Sequence, residues 1–210
     1  MRSAFLNSFA VRDGKAFSEE TRKYINEEIL SYTDGWPRLL DVLLLVTTNP
    51  EHPYNANTLH AKLFLLPLPT RDSIWTTYLC NKHGDKGPVD RLMEWAVSKD
   101  DKSYIDDHSR ALCGLALGWY LSSSNRQQRD LATKGLVRLF TDHLPVLVKV
   151  LKQFAGVDDP YVSERLLCVA YGCALRGQND ATLKTLAEYV YKSVFRNKKP
   201  PANILLRDYA

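Results

Sequence analysis

Apolar residues along this chain recur at spacings of three and four far more often than at two, which predicts helices throughout and negligible strand. The first helix begins at Ser18, whose hydroxyl can cap it. Glu19 and Glu20 fall in its electropositive first turn, and Tyr24, Ile25, Glu28 and Ile29 continue the period. Thr33-Asp34-Gly35 breaks it. Trp36-Pro37 opens a second helix through Leu39, Leu40, Leu43 and Leu44, and the two prolines of Asn49-Pro50-Glu51-His52-Pro53 forbid its continuation. Asn57 reads as the cap of a helix bearing Leu59, Leu63 and Leu66, and Thr70 as the cap of the next, with Ile74, Trp75, Tyr78 and Leu79. A polar, glycine-containing stretch over 81–87 then leads to Pro88, a good first helical residue. Further helices are expected over 89–97, 105–121, 126–140, 144–154, 160–176 and 181–195, the last capped by Asn179 and with Ser122-Ser123-Ser124-Asn125 as a boundary.

An internal similarity runs through this series. Asp72, Asp130 and Glu164 superpose, and with them Ile74, Ala132 and Leu166; Tyr78, Leu136 and Ala170; Leu79, Val137 and Tyr171. Positions 130 and 164 are 34 apart and 164 and 208 are 44 apart, close to the period of a helical hairpin repeat. A charged pair travels with the register: Arg71-Asp72, Arg129-Asp130, Arg207-Asp208 and, reversed, Glu164-Arg165. Asp159-Pro160 adds a cap and a first residue for a helix whose Val162, Leu166, Val169, Ala170 and Cys173 face the core. The expected fold is all-α: an α-solenoid, a right-handed stack of helical hairpins of the HEAT or TPR kind. It spans residues 1–210 as one array, with 81–87 as the place for a sub-boundary. Arg71, Asp72, Arg129, Asp130, Glu164 and Arg165 are read as a ladder tying successive hairpins together, the alternative being a clamp for a ligand phosphate.

Composition narrows the function. Of 210 residues, 45% are hydrophobic and 25% charged, the balance of an ordinary globular protein. The 28 Lys and Arg exceed the 24 Asp and Glu by a net +4 spread along the chain, unlike the basic stripe of a nucleic-acid binder. No apolar run approaches the roughly 18 residues of a membrane span, and residues 1–7 hold no secretory h-region, so the cytoplasm is the expected location. The four cysteines, Cys80, Cys113, Cys168 and Cys173, form no C-x-x-C pair and read as buried thiols of a reducing compartment.

Catalytic chemistry has little to stand on. The five histidines, His52, His60, His83, His108 and His143, are scattered without ligand spacing, so no metal is expected. Ser122, Ser123 and Ser124 lack a G-x-S-x-G setting, and Asp106-Asp107-His108 reads as helix-start residues rather than an acid and a base. No motif asks for a cofactor. Ala111, Gly114, Ala116 and Gly118 suggest close helix approach. Lys192, Arg196, Lys198 and Lys199, with Tyr189 and Tyr191 nearby, make the best local case for contact with an acidic partner or a nucleic-acid backbone, against a solvated helix end as the plainer reading.

Several blocks also resemble the helical regions of very large bacterial NTPases of the NACHT or STAND type, some of which act in antiviral defence. They are Asn49-Pro50-Glu51-His52-Pro53-Tyr54-Asn55-Ala56, Arg71-Asp72 with Trp75-Thr76, Ser123-Ser124-Asn125-Arg126 with Arg129-Asp130, and Asp159-Pro160-Tyr161-Val162 with Glu164-Arg165-Leu166. The resemblance covers residues 49–210. It implies a helical repeat segment outside the nucleotide-binding domain, in the part that senses a target, and so a fragment of a larger protein with a protein partner. It carries over no catalysis, since no G-x-x-x-x-G-K-[ST] loop occurs here. A free-standing helical hydrolase acting on a nucleotide or phosphoester, its carboxylates and histidines gathered only by the fold, is the competing expectation.

Overall fold

Short polar side chains start the helices. In the computed structural model, which describes residues 6–29, 36–196 and 201–210, the side chain of Ser18 accepts from the Thr21 amide, Asp106 from Ser109, Asn125 from Gln127 and Gln128, and Asn179 from Thr182. Each satisfies amides that the first helical turn leaves without partners. The described residues are helical with no strand.

Two short 3-10 turns, Ser8–Val11 and Gly14–Ala16, precede α1 (Glu19–Tyr24), which runs on into a π turn at Ile25–Ile29. Then come α2 (Trp36–Val46), α3 (Ala56–Leu65) and α4, a continuous helix made of Leu68–Arg71, a π-helical Asp72–Thr76 and Thr77–Lys82. The rest are α5 (Pro88–Val97), α6 (Asp107–Tyr120), α7 (Arg126–Phe140), α8 (Leu144–Gln153), α9 (Pro160–Ala174), α10 (Asp180–Val194) and α11 (Ile204–Asp208).

Two expected helix starts are corrected. The cap of α3 is Asn55, not Asn57, because the Asn55 carboxamide accepts from the Asn57 amide while its own amide group donates to Asn49 and Pro50 carbonyls in the preceding loop. Thr70 lies inside α4. Pro67 stands at the helix boundary and Pro69 within its first turn, where fixed φ favours initiation one turn earlier.

α6 occupies the centre. Its residues 112–120 are buried on every face, as expected of a helix packed all round. Along one line of contacts α3 packs on α6, α6 on α8 and α8 on α10; along a second, α5 packs on α7, α7 on α9 and α9 on α11. α6 against α7 and α9 against α10 join the two lines, and α2 packs on α3 and α5. Close approach is achieved by the small residues: a Cβ on Gly114 would lie 2.3 Å from the Phe140 ring, and one on Gly118 2.6 Å from that of Phe154.

The core face of α9 is the expected one, with Val162, Leu166, Val169, Ala170 and Cys173 all buried. The superposition of Leu79, Val137 and Tyr171 fails at its third member. Leu79 is fully buried but Tyr171 is exposed and neighbours Tyr209, because the α9 surface turned to Val137 is the bare Gly172. Nor are all the thiols buried: Cys113 and Cys173 are, Cys168 is half-buried and Cys80 is exposed beside Ser124.

Candidate functional site

The charged residues expected to form a ladder divide among several tasks. Asp130 on α7 and Arg165 on α9 meet at 2.7 Å, and Arg126 adds a longer contact to Asp130 at 3.6 Å. The hydrogen bond from Arg165 holds the Asp130 carboxyl below its ordinary pKa. Glu164 accepts instead from the Asn203 carboxamide at 3.0 Å, linking α9 to the start of α11. Arg129 donates to the Ser123 and Ser124 carbonyls and lies over the Tyr161 ring, while Asp72 accepts from Thr76 within α4.

Arg71 is wholly buried. Its guanidinium donates to the carbonyls of Leu66 and Asp158, stands 3.6 Å from the Asp159 carboxylate and lies over the Trp119 ring. Asp159 in turn caps α9, so one buried cation joins α4, α6 and the α9 start. Burial pushes the Asp159 pKa up, opposed by the amides it caps and by Arg71.

Of the basic cluster, Lys192 is exposed and pairs with Glu188 one turn back at 3.7 Å, and Arg196 is exposed just past α10. Lys198 and Lys199 lie outside the described residues.

Histidines and carboxylates serve the fold. Asp90 is buried and accepts from the Gly84 and Lys86 amides and faces His83, pinning the 83–87 loop onto α5. Asp106 caps α6, His143 stands 3.3 Å from Asp107, and His52 accepts the Tyr54 amide. Ser123 donates to Gln128, which donates to the Leu79 carbonyl and so ties α7 to α4. Among the described residues no three such groups assemble around a point where a metal could bind.

The feature that sequence reading missed is a cleft of about 540 Å³ between the carboxyl end of α2, one face of α5 and the start of α6. Leu44 and Leu45 form one wall, Leu92 and Trp95 another, and Tyr104 and Ile105 a third, with buried Cys113 also lining it. Desolvation pushes that thiol up to about 12, so it presents an apolar surface rather than a nucleophile. The Trp95 indole donates to the Tyr104 hydroxyl at 3.1 Å, and the Lys102 ammonium lies over the Trp95 ring while bonded to the Ser98 carbonyl. Asp106 at the rim is occupied by Ser109, whose two hydrogen bonds keep its pKa low. Arg91, exposed at the mouth, makes no side-chain hydrogen bond or ion pair among the described residues. A sequence signal exists, the i, i+1, i+4 set Arg91, Leu92 and Trp95, but nothing in it says that Leu45 and Tyr104 come to the same place.

No protein-family model matches the chain, and neither a curated protein nor a solved structure does. Among the described residues no helix is long and apolar enough to cross a membrane.

Proposed function

We propose that the chain is a non-catalytic binding module built as a HEAT-like array of helical hairpins. Its place is the target-sensing part of a larger cytoplasmic NTPase of the NACHT or STAND kind, with a role in antiviral defence. The array reading is supported by the alternation of contacts, α3–α6–α8–α10 on one side and α5–α7–α9–α11 on the other, the order that stacking of α6/α7 and α8/α9 hairpins produces, with α10 and α11 extending the two lines. The NTPase assignment is supported by the sequence blocks that resemble that family.

The observation that carries binding is the cleft, whose apolar walls meet, at the mouth, the exposed Arg91 guanidinium, which has no ion-pair partner among the described residues. Its occupant is a protein segment presenting a branched or aromatic side chain next to a carboxylate: the side chain fills the space between Leu45, Leu92 and Trp95 and the carboxylate takes the fork of Arg91. Selection from a displayed peptide library, followed by titration of enriched peptides, tests this. Enriched sequences should share an acidic residue beside a bulky apolar one, and Leu92→Asp and Arg91→Glu should each weaken them by tenfold or more without unfolding the chain. Equal affinity for parent and both variants would remove the cleft as the site.

A further inference from the structure

Where α3, α6 and α8 meet, the His60 ring stands edge-on to Phe154 at 4.8 Å and 5.6 Å from the Trp119 ring, with Phe64 one turn along at 5.7 Å. The Trp119 indole nitrogen is 3.1 Å from His60 Nδ1. An indole nitrogen can only donate, so Nδ1 is the acceptor and carries no proton. The single ring proton therefore belongs to Nε2, while the Gln153 backbone at the end of α8 acts on the ring in favour of its protonated form. The tautomer thus follows from what surrounds the ring. A second proton has nowhere to go but Nδ1, where it points at the indole N–H.

We propose that His60 is an acid-sensitive latch: as the neutral imidazole it fastens Trp119, and with it α6, to α3 and α8, and on protonation it lets go. Trp119 is well connected to pass this on. Its carbonyl accepts the Trp75 indole at 2.9 Å and the Ser122 hydroxyl at 2.7 Å, and its ring lies under Arg71, the cation bound to the α9 cap. Loss of the His60 bond frees the indole that stands between α3 and this buried pin.

The surrounding charges give the imidazolium no support. The lysines carried by the two helices packed on the ring are Lys62 on α3 and Lys149 and Lys152 on α8. On α6 the charged and titratable groups, Asp107, His108 and Arg110, all lie in the first turn or just past it, more than two turns from Trp119. α4 brings Arg71, and the carboxylate that accompanies it, Asp159, is already bound to that guanidinium. Desolvation accordingly lowers the His60 pKa from its ordinary 6.5, with the Gln153 carbonyl opposing in part.

Site-resolved NMR on the full chain, from about pH 7.5 to about pH 4.5, tests the latch by following the His60 ring nitrogens and the Trp119 indole N–H together. The expected result is a His60 midpoint below about 6.5. The Trp119 indole resonance should shift with the same midpoint and exchange with solvent at least tenfold faster on the acid side. His60→Asn offers an amide oxygen near the place of Nδ1 but does not titrate, so the Trp119 transition should vanish in it. A Trp119 signal that stays still while His60 titrates, or the same transition persisting in His60→Asn, would overturn the proposal. Should His60→Asn not fold, coincidence of the two midpoints in the parent decides alone, and separate midpoints reject the latch.

Discussion

Arg71 has no solvent access while the Arg165 side chain keeps 21% of its surface exposed, and that difference sets what each ion pair contributes. Replacing Arg71 by Met strands the Asp159 carboxylate and two carbonyls in a dry site, so urea unfolding should show a loss of about 3–5 kcal/mol. A loss under about 1 kcal/mol would mean that the site repacks without the cation. The Asp130–Arg165 pair is half in water, and a double-mutant cycle should return a coupling of about 0.5–1 kcal/mol, enough to help align α7 with α9 but not to hold them. A coupling near zero would leave both residues free for contact with a partner. Identity and spacing pointed to these residues, but burial, which ranks them, is a property of the packed molecule.

At the scale of the element, α6 shows why glycine stands where alanine would make the better helix. An exposed Gly→Ala exchange in a helix gains about 1 kcal/mol, whereas forcing a methyl against a packed ring costs about 1–3 kcal/mol. A methyl added at Gly118 would lie 2.6 Å from the buried Phe154 ring, so Gly118→Ala should lower the thermal midpoint, and Phe154→Leu in the same chain should recover part of the loss. A raised midpoint for Gly118→Ala alone would show that α6 and α8 can separate freely. Small residues on an apolar helix announced the close approach, and the capping side chains announced most of the starts. The π-helical Asp72–Thr76 was not announced. A one-residue widening carries no composition signal, and here it lies where Trp75 turns inward to bond the Trp119 carbonyl.

For the whole molecule, stability should depend on pH through two histidines held neutral. His52, packed against Phe17 and accepting the Tyr54 amide, and His60 both have pKa values lowered by burial. Below about 6.5 the unfolded chain takes up protons that the folded chain refuses, so stability is full above that pH and falls as pH drops toward the folded-state values. Asp159 acts with the opposite sign: its raised pKa means that the folded chain holds a proton longer, so its effect opposes folding as pH rises from its ordinary 3.8 through the folded value. Urea midpoints measured from about pH 7.5 to about pH 5.5, where the histidines dominate, should therefore decline on acidification. A flat profile would show that neither ring is protected.

The sequence by itself determined that this chain is helical, where most of its helices begin, and which residues of α9 face inward, because these follow from local geometry: a period of 3.6, a polar cap, a proline's fixed φ. Asp130 and Arg165 both belong to the recurrent charged pattern that it brought out, and the structure joins these two across 35 positions. Only the tertiary structure decided that Arg71 is bound to Asp159 rather than to its chain neighbour, that Leu45, Arg91, Trp95 and Tyr104 share a cleft, and that His60 must accept from Trp119. Each of these joins residues from different helices. Their meeting depends on how far one helix is rotated and shifted against another, which side-chain packing sets and no single stretch of sequence encodes.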